Sequence, residues 1–208
     1  VALIKKAGAK RVEYLPFGCD MEYHFPVKLK DEEKKVYASD VVFIGNWDEE
    51  REHWLSKLKG YNLAIWGVNY WKRRCKNKFL RLCWQGRPVV GEEMSKVISA
   101  SKININILRL QNKGSHNMRT FEIPACKGFM LHERSNEVVE FFEEDKEIAC
   151  FSTPEELREK IDYYLPRETL RKEMTERSYK KVQNYTYYER VKRILEIYKE
   201  INGNYVHS

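Results

Sequence analysis

The sequence is short of every feature that would make it something other than a packed globular chain. Ten Gly and six Pro in 208 residues are too few for a collagen-like or linker-like polymer. No apolar run approaches the ~20 residues needed to cross a bilayer. The opening Val1-Ala2-Leu3-Ile4-Lys5-Lys6 is too short an apolar stretch for a signal peptide, and it has no initiator Met, so the chain is expected to be a piece of something longer. The five cysteines (Cys19, Cys75, Cys83, Cys126, Cys150) are odd in number and include no C-x-x-C pair. That pattern argues against a secreted disulfide framework and a structural zinc site, and for reduced thiols in a cytoplasmic protein with no bound metal.

What is present suits a substantial core. Thirteen Tyr, nine Phe and five Trp accompany a 42% apolar and 33% charged composition. Lys plus Arg at 38 against Asp plus Glu at 31 leaves a net charge of +7, which favours anionic partners. Short runs rich in β-branched residues predict buried strands at Val41–Ile44, Leu63–Trp66, Ile103–Ile107 and Phe129–Leu131, with a weaker fifth at Ile148–Phe151. Helices are predicted between them. One is capped by Asp48 and runs to about Lys59 with Trp54, Leu55 and Leu58 inward; others cover Glu92–Ser101 and Asn117–Cys126. Thr153-Pro154-Glu155-Glu156 is a capping box that starts a further helix. Tyr187, Val191, Ile194, Tyr198 and Ile201 recur at helical spacing, so residues 187–201 are expected to form a closing amphipathic helix packed on the core. Strands alternating with helices predict an α/β, Rossmann-like domain over 1–208, its mostly parallel sheet covered by helices on both faces. Phe25 to Ser39, nearly all charged from Lys28 to Lys35, reads as a linker, which makes residues 1–39 an interdomain-type lead-in segment.

Such a sheet binds ligands at the carboxyl ends of its strands. Two strand-to-helix turns compete for an anion. The first, Ile44-Gly45-Asn46-Trp47-Asp48-Glu49-Glu50-Arg51, carries three acids in its first helical turn, which would repel phosphate and leave Gly45 and Arg51 as its ligand contacts. The second, Lys113-Gly114-Ser115-His116-Asn117-Met118-Arg119-Thr120-Phe121-Glu122, has the opposite character. It carries Lys113, His116 and Arg119 and no acid before Glu122, and the backbone amides of Asn117, Met118, Arg119 and Thr120 would add anion donors. A carboxylate at Glu122 could accept from a vicinal diol such as a ribose. From spacing alone, Arg119 and Glu122 are equally an ordinary i, i+3 surface pair.

Other chemistries have little support. G-x-G-x-x-G, G-x-x-x-x-G-K-[ST] and G-x-S-x-G are all absent. The five His (His24, His53, His116, His132, His207) show no metal-ligand spacing, and His24 and His53 read as partly exposed polar residues. Trp66-Gly67-Val68-Asn69-Tyr70-Trp71-Lys72-Arg73-Arg74 mixes aromatic and basic residues as a nucleic-acid patch does, but its place after a strand makes it a loop at the ligand edge, with Gly67 facing the donor.

Arg119-Thr120-Phe121-Glu122-Ile123-Pro124-Ala125-Cys126-Lys127-Gly128-Phe129 resembles the R-x-F-E-x-x-A-C-G-G-F segment of CgeB-like glycosyltransferases, relatives of the family 4, GT-B-type enzymes. Tyr14–Asp20, Asp40–Asn46, Glu143–Ile148 and Phe151–Leu157 are similar to further segments of that family, in order, so the resemblance covers about residues 12–200. It implies the C-terminal, donor-binding half of a two-domain enzyme, whose partners are a nucleotide-sugar donor, an unknown acceptor and an N-terminal Rossmann-like domain. By the same resemblance Glu122 binds the donor ribose, Arg119 and the helix start at Asn117–Thr120 face the diphosphate, and Gly45 lines the cleft opposite. No catalytic residue is assigned and no metal is implied. Two positions depart from the pattern: Gly114 stands where family 4 has a second Glu, and Lys127 replaces the first Gly of A-C-G-G. A non-catalytic nucleotide-binding module and, more weakly, a nucleic-acid-binding domain are the rival readings.

Overall fold

The computed structural model describes residues 2–203; His207 lies outside them. Five parallel strands form one sheet: β1 (Val41–Ile44), β2 (Leu63–Trp66), β3 (Ile103–Asn106), β4 (Met130–Glu133) and β5 (Ala149–Phe151), in the order β2-β1-β3-β4-β5. The helices, in chain order, are α1 (Ala2–Lys6), α2 (Asp31–Tyr37), α3 (Glu49–Ser56), α4 (Tyr70–Arg73), α5 (Lys78–Cys83), α6 (Gly91–Ala100), α7 (Arg119–Ala125), α8 (Val138–Phe141), α9 (Pro154–Tyr164), α10 (Glu168–Val182) and α11 (Tyr187–Gly203).

Alternation along each strand builds two cores. Val41, Phe43, Ile65, Ile105, Leu131 and Phe151 pack on one face against Trp54 and Leu55 of α3, Trp71 of α4 and Leu157 and Ile161 of α9. Val42, Ala64, Trp66, Met130 and Cys150 pack on the other against Met94, Val97 and Ile98 of α6 and Phe121 and Ile123 of α7. The predicted α/β, Rossmann-like sheet covered on both faces is therefore the fold, and all five expected strands are present. The fourth is displaced by a residue or two, because Phe129 belongs to the turn and the strand runs on through His132 and Glu133. The predicted caps also form: Asp48 accepts from Arg51 N at 2.9 Å and Thr153 from Glu156 N at 3.1 Å.

Two expectations are overturned. The charged stretch expected to be a linker contains α2, whose first turn holds Asp31, Glu32 and Glu33 and whose last holds Lys34 and Lys35, matching the helix dipole. Tyr37 donates to Glu93 at 2.8 Å and Lys96 pairs with Glu33 at 2.9 Å, so α2 is fastened to α6 through polar contacts. The closing helix α11 does form, but its stripe is not core: Tyr187, Val191, Ile194, Leu195, Tyr198 and Ile201 are all exposed. Residue spacing establishes an apolar face and says nothing of what covers it.

The turn from α7 into β4 accommodates Lys127 at a cost. Its φ is +53°, a left-handed conformation that disfavours any residue with a Cβ. Its Nζ bonds both carboxylate oxygens of Glu176, at 2.7 and 2.9 Å, and lies 4.7 Å from the Tyr179 ring centre. The next residue cannot be exchanged, since a Cβ on Gly128 would fall 2.4 Å from Ile98 Cγ2. Lys127→Gly and Lys127→Ala lose the same side-chain contacts and differ only in backbone freedom. The glycine variant is expected to be more stable than the alanine variant by about 1 kcal/mol in urea denaturation.

Candidate functional site

In the order β2-β1-β3-β4-β5 the chain leaves β1 for one edge of the sheet and returns to β3 on its other side, so the outgoing turns of β1 and β3 diverge at their carboxyl ends. Arg51 occupies that crevice. It is 7% exposed, and its Nε and Nη2 donate to Ile107 O at 3.2 and 2.7 Å while Nη1 donates to Asn46 O at 3.0 Å. Burial pulls its pKa down to about 10, with Asp48 opposing and Arg109 adding to the effect. The expected ligand contact is thus a strut between two turns, its donors already engaged.

The two glycines expected at the ligand edge also serve packing. A Cβ on Gly45 would meet the Phe43 ring at 2.9 Å, and one on Gly67 would meet Gly45 O at 2.2 Å. Trp71 Nε1 donates to Gly45 O at 2.9 Å and Trp84 Nε1 to Gly67 O at 2.8 Å. Glycine is required here so that the ends of β1 and β2 can approach each other. Trp66 and Trp71 are buried, so the aromatic–basic stretch offers only Tyr70 for stacking, and Arg74 already covers that ring at 4.5 Å.

An open groove of about 610 Å³ lies outside the β1 turn, between Asp48, Glu49 and Glu50 on one side and Arg74 and Arg109 on the other. Lys113 reaches Glu50 at 2.7 Å and also pairs with the buried Glu133, which accepts Leu108 N at 2.8 Å.

The second turn is the more elaborate. His116 is buried, and its Nε2 accepts Phe17 N at 3.0 Å, which leaves the proton on Nδ1 to be donated to Glu137 at 2.6 Å. Ser115 and Tyr14 donate to the same carboxylate oxygen at 2.7 and 2.9 Å. Burial tends to raise the Glu137 pKa, but these three hydrogen bonds outweigh it and hold it below the ordinary carboxylate value. The His116 ring stacks edge-on with Phe17, Phe121 and Phe141. His116 therefore fastens the lead-in segment to the domain, with both ring nitrogens engaged by protein groups.

Asn117 and Asn106 exchange amide hydrogen bonds at 2.9 and 3.0 Å, and Asn117 Oδ1 accepts Thr120 N at 3.3 Å. His132 Nδ1 donates to Glu133 O at 2.5 Å, so its Nε2 accepts the Thr120 hydroxyl at 2.9 Å. The Thr120 amide and hydroxyl are thus engaged internally, and so are the amides of Phe121 and Glu122, which both donate to Met118 O at 3.0 Å. Asn106 and His132 were not singled out from the sequence. They sit in apolar strands, and only the fold brings them beside α7.

At the start of α7 the backbone amides of Met118 and Arg119 have no acceptor among the described residues, and three side chains remain beside them. The Met118 side chain is exposed. Arg119 is partly exposed; its Nη1 pairs with Glu122 and its buried Nε has no partner. Glu122 is 5% exposed. The i, i+3 pair therefore exists but is not a surface pair, since its acid is covered. The cover is His24, expected to be partly exposed and in fact 6% exposed, with Nε2 3.6 Å from Glu122 Oε1. Among the described residues no group of three or more His, Cys, Asp or Glu side chains converges as a metal site.

Residues 50–196 match the family described as glycosyl transferase-like. No curated protein matches the chain by sequence. Among solved structures, a glycosyltransferase from Rickettsia africae superposes with a TM-score of 0.71 at 20% identity, covering 90% of this chain and 56% of its own. The C-terminal domain of a group 1 family glycosyl transferase (LpcC) from Francisella tularensis gives 0.60 at 14% identity, covering 80% of this chain and 97% of its own. Anabaena Alr3699/HepE, solved in complex with UDP and glucose, gives 0.65 at 9% identity, covering 88% of this chain and 55% of its own. The chain thus spans about half the length of the first and third of these, and nearly all of the isolated C-terminal domain.

His132 provides a test of the polar network beneath α7. Full burial drives its pKa down from about 6.5 to about 4. The native state stays unprotonated through that interval while the unfolded chain takes up a proton, so stability is complete above about pH 6.5 and declines towards pH 4. The loss is expected to reach about 2 kcal/mol, read from urea midpoints between pH 7 and 4.5, and the slope should flatten in His132→Gln.

Proposed function

Since the chain belongs to the glycosyl transferase-like family, we propose that it is the donor-binding half of a GT-B glycosyltransferase of CgeB-like character, transferring a hexose from a nucleoside diphosphate sugar. The observation that carries this reading is the state of Arg119 and Glu122. A guanidinium with an unspent Nε and a carboxylate beneath it share one helical turn at the carboxyl edge of the sheet. A ligand carrying both an anion and a vicinal diol can engage the two together: the diphosphate draws Arg119, and the ribose hydroxyls donate to the carboxylate this releases. The UDP and glucose in the Anabaena relative support a donor of this class. Charge on the leaving diphosphate is met by Arg119 without calling on a metal.

In this reading Gly45, Arg51, Gly67, His116, Asn117 and Thr120 shape the site from behind, and only Met118, Arg119 and Glu122 reach the donor. A second Rossmann-like domain of the same protein supplies the acceptor side. The exposed stripe of α11 and a length about half that of two structural relatives support such a partner. Five free, buried cysteines suit a cytoplasmic location, and no helix among the described residues is long and apolar enough to cross a membrane.

One observation favours the non-catalytic rival. Gly114, standing in place of the second family 4 Glu, has φ +78°, so the turn is shaped for glycine and carries no carboxylate towards the sugar.

Calorimetric titration with uridine, guanosine, adenosine and thymidine diphosphates tests the reading. One of them is expected to bind with micromolar to millimolar affinity, about −4 to −8 kcal/mol, because in this reading the chain supplies only the donor side of the cleft. Arg119→Ala should weaken that ligand about 10- to 150-fold, the ~1.5–3 kcal/mol of a charge-assisted hydrogen bond, and leave the bare nucleoside unaffected. Glu122→Ala should weaken both, and should abolish the preference for ribose over 2′-deoxyribose. Unaltered binding in both folded variants would refute the assignment.

A further inference from the structure

The mechanism above leaves a difficulty at Glu122. In the free protein its Oε2 is paired with Arg119 Nη1. When a diphosphate draws Arg119 away, a carboxylate 5% exposed loses its counter-ion, and a buried charge stripped of its partner is strongly unfavourable. The ribose hydroxyls are neutral and do not replace the lost positive charge. Something else at the site must do so.

Among the described residues, His24 is the only other cationic candidate within salt-bridge distance of Glu122. It lies in the lead-in segment, in the bend that follows Asp20, where its backbone N donates to Asp20 O at 2.7 Å. Its Nε2 is 3.6 Å from Glu122 Oε1, too long for a hydrogen bond and short enough to become one after a small rotation. Its Nδ1 is buried without a partner, and so is the Nε of Arg119, whose Nη1 pairs with the other carboxylate oxygen. Buried polar atoms are rarely left unpaired. Each of the two side chains set against this one carboxylate thus keeps an unpaired buried nitrogen, which marks a site whose partners are incomplete until something binds.

We propose that His24 is the positioning residue for Glu122, taking over its carboxylate, with uptake of a proton from solvent, when the donor diphosphate engages Arg119. The inference rests on the donor-site reading given above. In the free protein, burial and the neighbouring Arg119 lower the His24 pKa, while Glu122 and Asp20 act to raise it. Moving Arg119 towards a diphosphate removes a repulsive cation and leaves Glu122 to face the imidazole alone, so both changes favour the imidazolium. The other titratable groups around the pair are the Cys19 and Cys126 thiols, pushed up to about 12 chiefly by burial, and Tyr187, also raised chiefly by burial; all three stay neutral in this range. Tyr23 stacks edge-on against the His24 ring at 5.2 Å, and α6 offers Ser95, which donates to Tyr23 O at 3.5 Å.

The test is calorimetry with uridine and guanosine diphosphates at pH 7.5, in buffers of different ionisation enthalpy. Wild-type protein is expected to take up a fraction of a proton per ligand bound, beyond any taken up by His24→Gln, which keeps a hydrogen-bond donor but does not titrate. His24→Gln should hold its affinity within a few-fold at pH 8 and lose the strengthening that wild type gains towards pH 6.5. His24→Phe, matched in shape but without a donor, should weaken the ribonucleotide about tenfold and the 2′-deoxy analogue much less. A residue that merely packs the segment would change stability and leave proton uptake and ribose preference as in wild type, and that result overturns the inference. Binding with equal proton uptake in wild type and His24→Gln overturns it while leaving the donor site standing. Wild-type protein that binds none of the uridine, guanosine, adenosine and thymidine diphosphates overturns both.

Discussion

A carboxylate taken out of water needs charge and hydrogen bonds to replace the solvent, and Glu122 is such a carboxylate. Its surroundings follow from that need. Arg119 lies one helical turn before it and supplies the counter-charge without leaving α7. The lead-in segment folds back over the helix, so that the carboxylate faces an imidazole and not the bulk. Besides the contacts of α2, this segment is held by a parallel bridge between Cys19 and Thr186, the acceptance of Phe17 N by His116, the hydrogen bond from Tyr14 to Glu137 and one from Val27 N to Ser99 Oγ. The order of the lead-in and the burial of one acid are therefore a single arrangement.

A parallel sheet buried on both faces imposes the next constraint. Its strands run as apolar cores until their carboxyl ends, where the diverging turns leave backbone carbonyls that water reaches poorly. Here side chains fill the gap. Arg51 satisfies Ile107 O and Asn46 O, the indoles of Trp71 and Trp84 satisfy Gly45 O and Gly67 O, and His132 satisfies Glu133 O. Residues that look chemical in sequence are thus engaged in backbone hydrogen bonding. This narrows the surface on which a ligand can act to the start of α7.

What could be read from the sequence reflects where apolar pattern and burial coincide. The strands were legible because Val41–Ile44 or Leu63–Trp66 are apolar throughout. α2 was not, because it buries no residue; α10 was not, because it buries Arg171, Thr175 and Ser178 alongside Met174 and Val182. α11 shows the converse, a strong stripe with no burial. At the site, residue type pointed correctly to Arg119 and Glu122 as neighbours, since i, i+3 spacing is local geometry. Nothing local could disclose that His24, from the lead-in, covers Glu122, or that Arg51 turns inwards. Both depend on contacts between segments far apart in the chain.

The two departures from the family pattern have opposite physical character. At Lys127 the backbone is left-handed and the residue is not glycine, so the turn was kept and strain accepted, with Glu176 and Tyr179 receiving the lysine. At Gly114 the backbone is again left-handed, φ +78°, with open space where a side chain would go. Room for a carboxylate exists there, but a glutamate would carry the left-handed penalty that Lys127 already bears, roughly 1–2 kcal/mol. Lys127 shows that this chain tolerates such a penalty where contacts offset it. The absence of an acid at Gly114 is therefore not forced by sterics. The polar groups gathered at this turn are then Arg119, Glu122 and the histidine that covers Glu122.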